Sequence, residues 1–167
     1  LPAYYRYLEL RRKALGVEKL HIYDCYLPIV EAPEEEYTYE KACDMVKTYL
    51  KPLGDAYAAD LNRLLAGGWV DVYETPGKTT GAYACDVYGV HPYMLLNFAG
   101  TLNDVFTVAH EAGHCLHSYY SDRQPYINRD YPIFLAEIAS TVNENIVMRE
   151  MMAECDMQTE EGRRRRA

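Results

Sequence analysis

His110, Glu111 and His114 stand in the order His-Glu-x-x-His within the stretch from Thr107 to His117. On a helix, His110 and His114 lie one turn apart and face the same way. Two neutral imidazoles so placed can bind a single Zn²⁺. Glu111 lies about 100° round the helix from His110, beside the metal but off the ligand line. From there its carboxylate can take a proton from a water at the metal. A buried helix with two packing histidines would show the same pattern, so the surroundings matter. Thr101 suits an N-cap, and Asp104 in the first turn complements the helix dipole. Val105, Val108, Ala109, Ala112 and Leu116 give the helix an apolar side. Gly113 costs about 1 kcal/mol against Ala in a helix interior. A glycine there predicts close approach of another segment, or room for a ligand.

A catalytic zinc site takes three protein ligands and keeps one position open. His117 shares the face of His114, but three ligands from one straight helix surround a metal poorly. It is expected to support the site or pack beside it. The metzincin spacing calls for Gly three residues and His six residues after the second His. Those places hold His117 and Tyr120, which excludes that class. The better candidate lies on a second helix, expected after Asp130 or Tyr131 with Pro132 in its first turn. Ile133, Phe134, Ile138, Val142, Ile146 and Val147 supply its apolar positions. Glu137 and Glu144 fall two turns apart on one face. Glu137 could complete a His, His, Glu site, and Glu144 could accept a hydrogen bond from a ligand imidazole and fix its tautomer. The alternative for both is a solvated surface. Ala136, Ala139 and Ser140 are small enough for close helix packing.

The eight residues from His110 to His117 fit a HExGHxxH pattern, and the chain here resembles the M3 metallopeptidases, the thimet oligopeptidase group. The segment from Phe134 to Glu144 is similar to the oligoendopeptidase F branch, as are Gly81-Ala82-Tyr83 and the run from Pro92 to Phe98. The resemblance extends from about Tyr5 to Met152. It implies His110, His114 and Glu137 as ligands of one zinc per chain, Glu111 as general base, and Glu144 as a carboxylate behind a ligand. It also implies a longer chain, with a later segment of tyrosines and a histidine that hold the substrate. The 167 residues contain no counterpart of that segment, so they are expected to form the core of such an enzyme.

Length and composition set the frame. A chain of 167 residues, 49% hydrophobic, suffices for one domain with a real core, so residues 1–167 are read as a single catalytic core with a disordered tail over 157–167. The net charge is −8, and the short arginine run from Arg163 to Arg166 masks a still more acidic body. That balance argues against nucleic acid as a partner. The 17 tyrosines offer flat contact plus a hydroxyl, which suits a peptide cleft, although most are expected to be ordinary packing residues. Five cysteines in no CxxC pair suggest free thiols and a cytoplasmic setting. Cys115, beside the motif, points off the ligand face and reads as a core residue. No apolar run spans a membrane and no signal peptide is visible.

Along the chain, a helix is expected from Ala3 to Leu15, stopped by Gly16. His21 to Tyr26 reads as an extended segment or turn, and Glu31 to Glu36 as an acidic loop. Helices follow from Tyr37 or Thr38 to Leu50 and from about Leu53 to Leu65, the latter stopped by Gly67-Gly68. Three strands are expected, over Trp69–Tyr73, Gly81–Tyr88 and Tyr93–Phe98. A free edge of such a sheet could take up an extended peptide as another strand, with Gly81, Ala82 and Tyr83 near that edge. His91 reads as a loop residue near the cleft mouth. A polar connector runs from Ser118 to Asp130, and the last helix continues through Asp156.

The expected fold is therefore mainly α with a small β-sheet, a zincin-like core whose HExxH helix packs on a second, glutamate-bearing helix. The expected activity is zinc-dependent hydrolysis of internal bonds of oligopeptides. The rival from another class is a zinc-binding, peptide-binding module without catalysis, marked by exposed apolar patches and self-association. A second rival is a fold of this shape that binds no metal.

Overall fold

Helix boundaries in this chain are set by local chemistry. The computed structural model describes residues 1–30, 35–155, 157–160 and 162–163. The expectations for positions 31–34 and for the end of the arginine run fall outside the described residues, as does Asp156. Contacts divide the chain into two compact units, Glu35–Glu154 and the residues that flank it on either side.

In the flanking unit, helix α1 (Pro2–Leu15) ends where sequence predicts. Gly16 adopts φ 66°, and the N–H groups of Gly16 and Val17 return to the carbonyls of Lys13 and Arg12. The extended segment expected over His21 to Tyr26 is instead a 3₁₀ turn, Ile22–Tyr26. The Asp24 carboxylate accepts the His21 N–H at 2.7 Å, which curls the backbone and outweighs a weak alternation. Arg11, 5% exposed, holds this turn by donating to the carbonyls of Asp24 and Leu27.

The larger unit contains four helices and three strands among the described residues. Helix α2 (Tyr39–Tyr49) starts at Thr38, whose hydroxyl accepts the Lys41 N–H. Helix α3 (Asp55–Ala66) follows a 3₁₀ turn at Lys51–Leu53. The strands β1 (Val70–Asp71), β2 (Tyr83–Cys85) and β3 (Tyr93–Leu95) are shorter than expected. Gly81 and Gly89, at φ 90° and 79°, turn the backbone out of extended geometry on either side of β2. The sheet order is β1-β3-β2, with β1 parallel and β2 antiparallel to β3. Met94, Leu96 and Phe98 alternate into the core.

Helix α4 (Leu102–Ser121) opens on a capping box in which Thr101 and Asp104 exchange hydrogen bonds. Its buried side runs from Val105 to Ser118, including Ala109, Ala112, Gly113, Cys115 and Leu116. It continues four residues, Ser118 to Ser121, into the expected connector. Helix α5 (Ile133–Glu154) departs further from expectation. Ile133, Phe134, Ile138 and Val142 are exposed. The side chains it buries are Ala136, Ser140, Asn143 and Val147, spaced four, three and four residues apart. An apolar count cannot find this stripe, because apolar and polar residues are mixed on all sides of α5, which packs through small and polar side chains. No helix among the described residues is long and apolar enough to cross a membrane. Cys25, Cys43, Cys85 and Cys115 carry free thiols.

Gly113 shows why the stripe is small. A Cβ built there would lie 2.7 Å from Ser140 Cα and 2.8 Å from the Ala139 carbonyl oxygen. The α4 and α5 backbones touch at this point. Gly113→Ala should gain about 1 kcal/mol in helix propensity yet force the helices apart, for a net loss of about 1–3 kcal/mol. Urea denaturation followed by far-UV circular dichroism reads the difference. A midpoint at or above that of the unsubstituted protein would show that the helices do not approach this closely.

Candidate active site

Helix α4 carries His110 and His114 on one face, as their spacing requires. Their Nε2 atoms lie 3.0 Å apart. Glu137 reaches over from the first turns of α5, and its Oε2 lies 3.5 Å from His110 Nε2 and 3.6 Å from His114 Nε2. Zinc bonds of about 2.0–2.1 Å at tetrahedral angles separate ligand atoms by roughly 3.3 Å. The three atoms thus form a triangle of the size a zinc ion needs on one face of its coordination shell. It is the one such group among the described residues.

The donors are also oriented. His110 Nδ1 lies 2.7 Å from Glu144 Oε1. An ionised carboxylate only accepts, so Nδ1 carries a proton, and the neutral tautomer with that proton has its lone pair on Nε2, toward Glu137. Burial lowers the pKa of His114, with His110 adding to the effect and Glu137 opposing it. That favours the neutral imidazole a metal requires.

Glu111 is 6% exposed, and its Oε2 is buried with no hydrogen-bond donor among the described residues. Burial raises its pKa; the nearby His110 opposes this, Glu137 adds to it, and a hydrogen bond with the Ala84 backbone opposes it. The carboxylate therefore sits between the histidine helix and β2. Among the described residues β2 pairs only with β3, so its other side is an edge. Tyr83 on that strand is exposed, and Ala82 packs partly into the core. The Gly81 carbonyl accepts a hydrogen bond from Asn97 Nδ2 at 2.8 Å, which fixes the approach to the edge.

His117 stands outside the ligand triangle. It stacks on Tyr131 with ring centroids 3.9 Å apart, and burial lowers its pKa. The Tyr131 hydroxyl pairs with Ser118 Oγ at 2.6 Å. His91 stacks on Trp69 at 4.2 Å, away from the triangle's residues. Cys115 is fully buried, and burial raises its thiol pKa. Sequence reasoning passed over Tyr131, Tyr57 and Asn143. The one signal available was Asn143 itself, a poor helix former in the interior of a helix and directly before Glu144.

These features sit on a recognisable family background. The sequence profile of peptidase family M3 matches residues 1–163, and the chain belongs to that family. It is 47% identical over 148 residues to oligopeptidase PepF of Bacillus subtilis (strain 168), covering 88% of this chain and 22% of that one. Group B oligopeptidase PepB of Streptococcus agalactiae is 41% identical over 155 residues, covering 92% and 26%. A crystal structure of a Chlamydophila abortus protein superposes with a TM-score of 0.78 at 45% identity, covering 91% of this chain and 26% of the other. The chain thus spans about a quarter of the length of these relatives.

The raised pKa of Glu111 has a consequence in metal-stripped protein. The folded state holds this proton more tightly than the unfolded chain does. Its contribution to stability is present below the ordinary carboxylate range and is lost as pH rises through the raised value. Glu111→Gln should therefore raise the thermal midpoint, relative to the unsubstituted protein, more at pH 7 than at pH 4. Comparing the two pH values cancels any constant packing effect. An offset that does not vary with pH would show that Glu111 is not held in an environment hostile to its charge.

Proposed function

We propose that this chain carries the catalytic centre of a zinc-dependent oligopeptidase that cleaves internal peptide bonds, with one zinc per chain. The observation that supports this reading best is the Nε2, Nε2, Oε2 triangle with, beside it, a buried carboxylate oxygen of Glu111 that has no partner among the described residues. In this reading His110, His114 and Glu137 hold the metal, and Glu144 holds His110 in the right tautomer. Bound zinc supplies a Lewis acid that lowers the pKa of water and polarises a carbonyl. Glu111 accepts the proton of the attacking water on its carboxylate and delivers it to the nitrogen of the departing amine. Burial, which raises its pKa, favours the step in which it takes up the proton.

The β2 edge receives the substrate. An extended oligopeptide adds to it through main-chain hydrogen bonds, so recognition depends on backbone more than on sequence. Gly81, Ala82 and Tyr83 lead the peptide toward Glu111. His117 backs the site through its stack on Tyr131. Free thiols and the oligopeptidase relatives favour the cytoplasm as the setting. The exposed Ile133, Phe134, Ile138 and Val142 favour a second reading, in which the chain binds peptide or self-associates through α5 without turnover.

Metal content and peptide cleavage separate these readings. The purified protein should hold close to one zinc per chain and lose it sharply on Glu137→Ala. Glu111→Gln should retain the metal and lose cleavage by about 10²–10⁴-fold. Cleavage at the unsubstituted rate would remove Glu111 as the base. Metal without any cleavage of a long peptide would leave the binding module. Release of dipeptides from the C-terminus in place of internal cuts would change the mode of action.

A further inference from the structure

The ligand triangle draws on two helices, so it depends on how α5 is registered against α4. One residue of slip on a helix moves a side chain by about 1.5 Å and 100°, which would carry Glu137 away from the histidines. The small side chains that α5 buries, Ala136, Ser140 and Val147, make a smooth stripe and specify register weakly. Asn143 is different. It is 1% exposed and sits in the helix interface. Its Nδ2 donates to the Ala109 carbonyl at 2.9 Å, and its Oδ1 accepts the Tyr57 hydroxyl at 2.9 Å. The orientation of the amide is forced, because a carbonyl can only accept and so must face the NH₂ group. Burial pushes the Tyr57 hydroxyl up to about 12, which keeps it a donor.

The location of these bonds gives them their meaning. Ala109 directly precedes His110, and Asn143 directly precedes Glu144. His110 and Glu144 are themselves joined at 2.7 Å. Two neighbouring cross-links between the same two helices fix both sliding and rotation. A single buried asparagine in a helix interface specifies register at some cost in stability, because any other register strands its amide. Tyr57, from α3, makes the cost of slipping greater by adding a third helix to the bond.

We propose that Tyr57 and Asn143 form a polar bracket that sets the register of α5 on α4 and so positions Glu137 and Glu144 around the two histidines. They are positioning residues, since neither belongs to the ligand triangle and each acts through the helices that carry it. The inference rests on the metal-centre reading above.

Cobalt(II) is the probe, because its visible absorption reports ligand number and geometry. Asn143→Leu and Tyr57→Phe, singly and together, are compared with the unsubstituted protein by visible spectrum, by affinity in chelator competition, and by far-UV circular dichroism. Asn143→Leu should weaken cobalt binding by about 10–100-fold, as loss of a group behind the ligands does. Its spectrum should change while helix content is kept. Tyr57→Phe should weaken binding less, in the same direction, and add little on top of Asn143→Leu, because both act through one network. Unsubstituted affinity and spectrum in both folded variants would overturn the bracket. If Asn143→Leu does not fold, Tyr57→Phe decides by the same criteria, since it removes a single hydroxyl. An unsubstituted protein that binds no cobalt would remove the metal centre, and the bracket with it. One that binds cobalt while the variants bind equally well would remove the bracket alone.

Discussion

The contact of two helix backbones at Gly113 governs what this structure can do. Glu137 on one helix must meet two imidazoles on another, and the close approach of the two backbones brings it within reach. Gly113 on α4, against Ala139 and Ser140 on α5, provides that approach. The stripe of Ala136, Ser140, Asn143 and Val147 extends it along the interface. Every other feature of the site presupposes this spacing: Glu137 within 3.6 Å of both Nε2 atoms, and Glu144 at 2.7 Å from the far side of the His110 ring.

The charges around this contact are arranged in opposition. Two imidazoles are held close, which disfavours protonating both. Glu137 and Glu144 flank them from α5. Glu111 is pushed toward its neutral form by burial first and by Glu137 as well. Removing water from such a group normally costs free energy unless a partner is supplied. Here the Ala84 backbone bonds the Glu111 carboxylate, while Glu111 Oε2 is left without a donor among the described residues. The sheet is small, but by placing β2 against α4 it brings to that carboxylate a main-chain edge that is unpaired among the described residues.

How much of this was legible depended on the range of the interaction. The histidine spacing, the Thr101–Asp104 capping box and the Gly16 stop are local, and each appears where the sequence puts it. Glu137 and Glu144 could be named because two turns of helix bring them to one face. The strands were overestimated, since alternation over Gly81 to Tyr88 says nothing of the positive φ at Gly81 that curtails pairing. At Ile22–Tyr26 one carboxylate–backbone bond outweighed a weak pattern. The packing face of α5 was misjudged for a general reason: hydrophobicity predicts burial only when a helix has a polar side to contrast with. Tyr57 and Tyr131 left no trace in the sequence, because their partners lie far along the chain or belong to another helix.

The long reach of certain bonds bears on the order of assembly. Tyr49 bonds Glu154 across 105 residues, and Tyr57 bonds Asn143 across 86. Both close only when α5 arrives, and α5 is the last helix of its unit to be made. Contacts of such sequence separation form late, because loop-closure entropy must be met before they reward the chain. During synthesis the two histidines are therefore displayed on α4 before the glutamate that completes their triangle exists. Within this unit, completion of the triangle waits on α5, and any step that delays α5 leaves the two histidines without the third side chain of the group.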